Sequence, residues 1–223
     1  MRSAGVSVLI LCLGLSSCSG LFRSNAKPEQ IYYLRAPTAA VAAAGASATP
    51  ASLRVIRPMA DPGLDSTHIM LVQADHRMNF YSDSRWPVPA PELVEALAVQ
   101  TLRASGEWAS VQDSSSPFPA DYLLQMHLRR FEADYTDGGE APSVHVVLDC
   151  TVGRRQGREV LATFTVTGSA AAPANHLSQV VGAFEQATGT ALNALVQHSV
   201  QAVQLEAQRP AQTEPQPAPP SAQ

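Results

Sequence analysis

The second half of the chain alternates apolar and polar residues with a period of two, which is typical of β-strands that bury one face. Residues 143–155 are the clearest case, and their apolar positions share one face: Val144, Val146, Leu148, Cys150 and Val152. The stretches 121–136 and 160–168 alternate in the same way, and turn-forming residues separate the three segments. This pattern predicts a three-stranded antiparallel meander with one apolar face.

The alternation changes phase inside the first of these strands. Its apolar positions are even-numbered over residues 122–128 and odd-numbered from Phe131 onwards. Because a period-two pattern cannot change phase without an extra residue, we expect a bulge or bend near Arg129 and Arg130.

Two other segments carry apolar residues at helical spacing. The first covers residues 89–106 and stops at Gly106, and the second is a long helix at about 175–205. Shorter strands are predicted at 31–36, 53–60, 68–73, 77–82 and 109–112. The sequence therefore predicts an α+β fold, in which two long helices pack on one face of a largely antiparallel sheet.

The N-terminus has the features of a bacterial export signal. Arg2 precedes an apolar run over residues 6–15, which is too short to span a bilayer as a helix. The alternative is a buried strand or helix starting at residue 6. The run ends in Leu15-Ser16-Ser17-Cys18, which has the form of a lipobox. We therefore expect residues 1–17 to be a lipoprotein signal peptide and Cys18 to be the lipid attachment site, where each buried methylene contributes about 0.8 kcal/mol to anchoring.

Composition divides the remaining chain. Residues 18–30 are polar and predict a lipidated tether, and the Ala-rich stretch 37–52 predicts a flexible low-complexity loop inside a domain at 31–206. The proline-rich residues 207–223 predict a disordered tail.

Charge and cysteine content exclude several classes of protein. The formal net charge of −4 argues against a nucleic-acid-binding protein. Cys12 leaves with the signal peptide and Cys18 becomes a thioether, so Cys150 is the one thiol left and no intrachain disulfide can form. Cys150 lies among valines, and we expect it to be buried and unreactive.

The sequence offers little catalytic chemistry. It contains no Gly-rich phosphate loop, no G-x-S-x-G, no H-E-x-x-H and no Cys/His cluster. His127, His145 and Asp149 fall on the polar face of the meander, where solvated surface residues explain them better than a metal or acid–base site. We expect no catalytic residue, no metal and no cofactor, and hence no enzyme.

The meander carries opposite charges at its two ends. One end collects Glu132, Asp134, Asp137 and Glu140, and the other Arg154, Arg155 and Arg158. One interpretation is that both ends are solvated hairpin tips. The alternative is that the basic tip contacts an acidic partner or lipid phosphates.

Two alternatives are also open for Trp86 and Trp108. They pack over the edge of the core, or they anchor a partner.

Several motifs occur in an order that resembles one family. They are the lipobox at Cys18, "YYL" at 32–34, "PGLDSTHIML" at 62–71, "NFYSDSRW" at 79–86 and "DYLLQMHLRRFEADY" at 121–135, followed by the long helix. Over about 175 residues the chain resembles the ABC-type transport auxiliary lipoprotein family, which includes the auxiliary lipoprotein of paraquat-inducible (Pqi-type) transport systems.

The resemblance implies a non-enzymatic, acylated (palmitate-bearing) lipoprotein on the periplasmic face of the outer membrane. Its partner would be a periplasmic MCE-domain protein, which works with an inner-membrane ABC permease and ATPase to move lipids or other hydrophobic molecules. Ser19, directly after Cys18, favours the outer over the inner membrane. A homo-oligomer is compatible with this role. A structural or envelope-assembly lipoprotein, or a lipid-anchored periplasmic enzyme, remains open as an alternative.

Overall fold

The computed structural model describes residues 28–37 and 49–209, which form nine strands and two long helices in an α+β arrangement, as predicted. In chain order the elements are β1 (Gln30–Ile31), β2 (Thr49–Val55), β3 (Met59–Ala60), β4 (His68–Val72), β5 (Met78–Arg85), α1 (Ala90–Ser105), β6 (Trp108–Gln112), β7 (Tyr122–Asp134), β8 (Ser143–Arg154), β9 (Glu159–Ala171) and α2 (Leu177–Ala207). The signal peptide, Cys18 and most of the predicted tether lie outside the described residues.

The predicted meander is confirmed. β7 pairs antiparallel with β8, and β8 with β9, and the alternating apolar residues of β8 are all fully buried. The register of β7 shifts between Leu128 and Arg130, so the predicted bulge is present. α2 packs closely on this sheet. A Cβ added at Gly168 of β9 would collide with the backbone carbonyl of Ala187 on α2.

The sheet is mixed, a feature that the prediction of a largely antiparallel sheet did not specify. The second edge of β7 pairs in turn with β2, β3 and β4, and all three run parallel to it. β6 is parallel to β2 and β1 to β5, while β4 and β5 form an antiparallel hairpin. The pattern of buried positions in a short strand does not encode the direction of its neighbour, so the sequence left this choice open.

Three boundaries also differ from the prediction. The strand expected at 53–60 is broken, because Pro58 between β2 and β3 has no N–H to donate to a ladder. Residues 49–52, expected in the flexible loop 37–52, are the first half of β2, while residues 38–48 lie outside the described part. The strand expected at 31–36 is reduced to Gln30–Ile31, so the tether predicted to reach residue 30 ends in a strand.

The helices match their predictions more closely. α1 ends at Ser105 and is capped by Gly106, which adopts a left-handed φ of 69°. α2 ends at Ala207, the first residue of the predicted tail, and residues 210–223 lie outside the described part. The two helices contact each other, and α2 lies against β8 and β9.

An aromatic cluster joins the two halves of the chain in the core. The indole ring of Trp86 lies 5.8 Å from the ring of Phe131 on β7 and 5.2 Å from that of Phe184 on α2, measured between centroids. Trp86 is 0% exposed, so it occupies the centre of the core rather than its edge. Trp108 is also buried and lies against Tyr122, with ring centroids 6.3 Å apart.

Candidate functional site

The basic tip is the turn between β8 and β9, and its backbone has an unusual conformation. Residues Gln156–Arg158 form a 3₁₀ turn in which Gly157 has a φ of 79° and Arg158 a φ of 54°. Glycine adopts a left-handed φ without steric cost, which explains Gly157, whereas arginine at this φ is uncommon. The turn presents Arg155 and Arg158 to solvent.

Arg154 differs from the other two arginines of the tip, because it is engaged in ion pairs. Its guanidinium contacts Glu206 near the end of α2 and lies 3.7 Å from a carboxylate oxygen of Glu159. The hydroxyl of Tyr122 donates a further hydrogen bond of 2.9 Å to Glu206. Among the described residues Arg155 and Arg158 form no ion pair. The sequence grouped three arginines together, and the structure divides them into one that fixes the tip and two that face outward.

A cleft of about 650 Å³ opens beside the tip. Its walls come from the start of β2, the start of β7, the β8–β9 turn and the end of α2: Pro50, Ala51, Ala120, Asp121, Tyr122, Arg154, Arg155, Gln156 and Glu206. Asp121 accepts hydrogen bonds from the hydroxyl of Ser52 at 2.6 Å and from its backbone N–H at 2.8 Å. These bonds lower the pKa of Asp121 below its ordinary value, so this carboxylate stays charged. Arg155 and a fixed carboxylate therefore lie at one opening, which suits a polar segment of a partner better than an apolar ligand.

The acidic end of the meander is less charged than its sequence indicated. Arg130 donates to Glu132 at 2.5 Å and to Asp134 at 2.8 Å, and Glu132 is buried. Asp137 and Glu140 stay exposed in the β7–β8 connection. Part of the predicted negative charge is thus neutralised by a neighbour on the same strand.

The polar face of the meander holds a chain of hydrogen bonds and ion pairs. Nε2 of His127 lies 2.9 Å from Oδ1 of Asp61, and the guanidinium of Arg129 lies 3.5 Å from Asp61 and 2.8 Å from Asp149. The hydroxyl of Thr165 donates to Asp149 at 2.7 Å. The sequence did not indicate Asp61 or Arg129, because their partners lie on other strands.

His145 is separate from this chain of hydrogen bonds and ion pairs, because its register partners are Glu132 and Ser169. The three polar residues considered as a metal or acid–base site are therefore not brought together at one point. Within residues 28–37 and 49–209 no group of three or more His, Cys, Asp or Glu is placed to hold a metal ion.

Cys150 is buried in the centre of β8, as predicted, and is a free thiol. Burial, with a smaller contribution from the negative charge of Asp149, raises the pKa of Cys150 to about 12. Because the thiolate is the nucleophilic form, this thiol is unsuited to covalent chemistry at neutral pH.

No helix in the described ranges is long and apolar enough to cross a membrane. The fold and its surface define an α+β domain with a closed apolar core, a polar sheet face held by ion pairs and an arginine-bearing tip. A polar cleft opens beside that tip.

The chain belongs to a family described as the ABC-type transport auxiliary lipoprotein component, whose model matches residues 32–212. A crystal structure of a Xanthomonas campestris protein is similar, with 27% identity and a TM-score of 0.71 over 81% of this chain and 99% of that one. A second crystal structure, of an uncharacterized protein, shares the fold at 13% identity and a TM-score of 0.60, over 77% and 99% of the two chains. No protein with a curated description matches the chain significantly.

Proposed function

We propose that this protein is anchored to the periplasmic face of the outer membrane through an acylated Cys18 and serves an ABC/MCE-type intermembrane transport system. In this role it is a non-enzymatic auxiliary component, and the system moves lipids or other hydrophobic molecules. Membership of the auxiliary lipoprotein family carries the proposal. The lipobox at residues 15–18 supports the anchor, and Ser19 supports the outer membrane. Because the sequence has no Gly-rich phosphate loop, the energy for transport comes from partner subunits.

The basic tip is the proposed contact with the periplasmic MCE-domain partner. Arg155 and Arg158 are exposed and have no ion-pair partner among the described residues, and the cleft beside them is polar. Guanidinium groups bind carboxylates with two parallel hydrogen bonds, so an acidic segment of the partner fits this end. Arg154 supports the contact indirectly by holding the turn against α2.

The anchor is tested by comparing Cys18→Ala with Cys12→Ala, a matched cysteine replacement in the same N-terminal segment. The Cys18→Ala domain, exported with an ordinary secretion signal, should fold normally and bind its partner in solution. It should fail to complement a deletion strain, because tethering supplies the local concentration that weak contacts need. Cys12→Ala should be acylated, as judged by mass spectrometry, and should complement. Full complementation by the soluble Cys18→Ala form, or wild-type protein without acyl chains, would contradict the proposed anchor.

The tip is tested by the double charge reversal Arg155→Glu with Arg158→Glu. Its control is Arg35→Glu with Arg57→Glu, which changes the net charge equally at two exposed arginines elsewhere on the surface. Binding to the purified MCE-domain protein from the same gene neighbourhood should weaken about tenfold or more at low salt for the tip variant alone. This difference should shrink as salt is added. Equal binding by both double variants at every salt concentration would reject the tip as the contact.

A further inference from the structure

The β4–β5 hairpin carries an apolar patch on the sheet face opposite the helices. We call Met70, Met78, Phe80 and His68 the hairpin patch. The register places Met70 opposite Phe80, and Met70 also pairs with Glu132, which lies on the outer face of β7. The ring of His68 stacks on Phe80, with centroids 4.3 Å apart.

Two members of this patch, Met70 and Met78, converge on Gly63. A Cβ built at Gly63 would lie 3.5 Å from Cε of Met78 and 3.7 Å from Cε of Met70, so the two thioether side chains converge on this glycine. Met78 is 54% exposed and Phe80 is 49% exposed. Removing apolar side chains of this size from water is favourable. Flexible methionines beside an aromatic ring suit a soft and irregular contact surface.

β1 lies beside the Arg85 end of β5, and its N-terminal end points back along β5 towards Met78. β1 runs parallel to β5, with Gln30 beside Ser84 and Ile31 beside Arg85. The chain therefore enters β1 from the Met78 end of β5. Ten peptide units separate Cys18 from Pro28, which places the two Cα atoms within about 36 Å of each other.

The basic tip lies at the other end of the sheet. Tyr122, the first residue of β7, pairs with Arg154, whereas Asp134, its last residue, pairs with Val72 at the end of β4. A membrane anchor on the Met78 side therefore leaves the tip pointing away from the bilayer. The length of β7, 13 residues at about 3.3 Å each, sets a separation of about 40 Å.

We infer that the hairpin patch rests on the phospholipid bilayer that holds the anchor, with Met78 and Phe80 at the level of the headgroups and upper acyl chains. The inference rests on the proposed acylation of Cys18. The contact orients the domain, so that Arg155 and Arg158 face the periplasm.

The chemistry of the contact is apolar rather than ionic. Arg77, next to Met78, is paired with Asp75 at 2.6 Å, and Arg130 is paired with Glu132 and Asp134. These arginines already have carboxylate partners, so they offer little extra attraction to anionic headgroups. Binding should therefore depend weakly on the fraction of anionic lipid, unlike the attraction of a polybasic segment.

The test places a tryptophan at the patch in the full mature protein, reconstituted into phosphatidylcholine vesicles with or without brominated acyl chains. The variant is Phe80→Trp, and Met78→Trp repeats the test if the first variant does not fold. The control is Phe118→Trp, an aromatic position that is 70% exposed near the opposite end of the sheet. Trp86 and Trp108 are buried and give the same background in every variant. Each preparation is used only after mass spectrometry of Cys18.

In acylated protein we expect brominated lipid to remove about half of the emission added at residue 80, because interfacial side chains lie about 5–10 Å into the headgroup and acyl boundary. The emission added at residue 118 should not change, and anionic lipid should leave both results the same. Equal quenching at both positions, or none, in acylated protein would overturn the inference while leaving the proposed anchor intact. Residue 80 shielded by a second copy or by a protein partner would likewise show no lipid quenching. Absence of acyl chains would overturn the anchor and the inference together.

Discussion

The meander β7–β9 and the N-terminal strands β1–β5 build one sheet in different ways. Each strand of the meander pairs antiparallel with its neighbour in the chain. By contrast, β2, β3 and β4 occupy successive positions along one edge of β7, which lies about 60 residues further on in the chain. The first arrangement depends on local sequence, whereas the second exists only after β7 has formed.

The two regions also differ in the regularity of their strands. The buried positions of β8 follow one uninterrupted alternation. β5 has three consecutive exposed residues at its start, and Asp83 within it has a φ of 54°. The regular half therefore supplies the fixed scaffold, and the irregular half supplies exposed apolar side chains such as Met78 and Phe80.

The largest expected effect comes from breaking the aromatic cluster that joins the two halves. Trp86→Ala removes a fully buried indole from between Phe131 and Phe184. We expect the free energy of unfolding to fall by about 3–5 kcal/mol, as is typical when a large aromatic residue in a core is truncated. Urea denaturation followed by circular dichroism measures this loss.

Phe118→Ala is the matched control for this prediction, because Phe118 is exposed and its truncation should change stability by less than about 0.5 kcal/mol. The Trp86→Ala variant should still unfold in one transition if the halves form a single cooperative unit. Two separate transitions would show that the meander is stable without the N-terminal strands.

The second prediction concerns the contact of the meander with α2. Gly168→Ala places a methyl group against the backbone of Ala187, which cannot move without displacing the helix. We expect a loss of about 2–3 kcal/mol, because overpacking forces the backbone to shift. Thermal and urea unfolding measure it.

Gly182→Ala is the opposite case, and Gly182 lies on α2, the helix that contains Ala187. A Cβ at Gly182 meets no atom within 4 Å, and alanine favours the helix over glycine by about 1 kcal/mol. This variant should be more stable than the wild type. If both glycine variants change stability in the same direction, the close approach of β9 to α2 does not govern the effect at Gly168.

The sequence predicts the regular half well, because its information is local. The alternation in β8, the phase change before Phe131 and the stop at Gly106 each depend on residues within one element. No local feature of the sequence indicates that β2, β3 and β4 pair parallel with β7, since period-two burial fits parallel and antiparallel pairing equally. Residues 49–52 appeared to be loop for the same reason, because their strand conformation depends on pairing with β6.

The candidate site was predictable in outline only. A run of arginines indicates a basic tip, but it does not show that Arg154 pairs with Glu206, about 50 residues away, while Arg155 and Arg158 face outward. The exposure of Met78 and Phe80 was also hidden, because apolar residues in a predicted strand are usually assigned to the core. Such features depend on which surfaces the distant elements leave uncovered.

The third prediction concerns the centre of the meander. Cys150→Ala should lower the free energy of unfolding by about 1 kcal/mol, the usual cost of a small core truncation, and should leave function intact. Cys150→Ser should cost more, about 1–3 kcal/mol, if its hydroxyl is left without a partner. Because burial raises the pKa of this thiol to about 12, native protein should react slowly with a thiol reagent and unfolded protein quickly. Rapid labelling of the native protein would contradict a structural role.

The smallest expected effect lies on the polar face, where Asp149 links β8 to Arg129 on β7 and Thr165 on β9. The hydrogen bond from Thr165, then that from Arg129, lowers the pKa of Asp149 below its ordinary value. A carboxylate with a depressed folded-state pKa stabilises the fold above its unfolded-state pKa, and this contribution is lost as the pH falls through the folded-state value.

Asp149→Asn should therefore cost up to about 1 kcal/mol at neutral pH, as expected for a partly exposed ion pair. The difference from wild type should begin to fade below the ordinary aspartate pKa of about 3.9 and disappear as the pH falls through the lower pKa of the folded state. Thr165→Val, which replaces the hydroxyl with a methyl group, should act in the same direction with a smaller effect. Urea denaturation at several pH values measures both variants. If the stability difference for Asp149→Asn stays constant into the acid range, the effect comes from packing rather than from charge. Packing would then also hold the turn at Asp61 to the meander, because Arg129 contacts both Asp61 and Asp149.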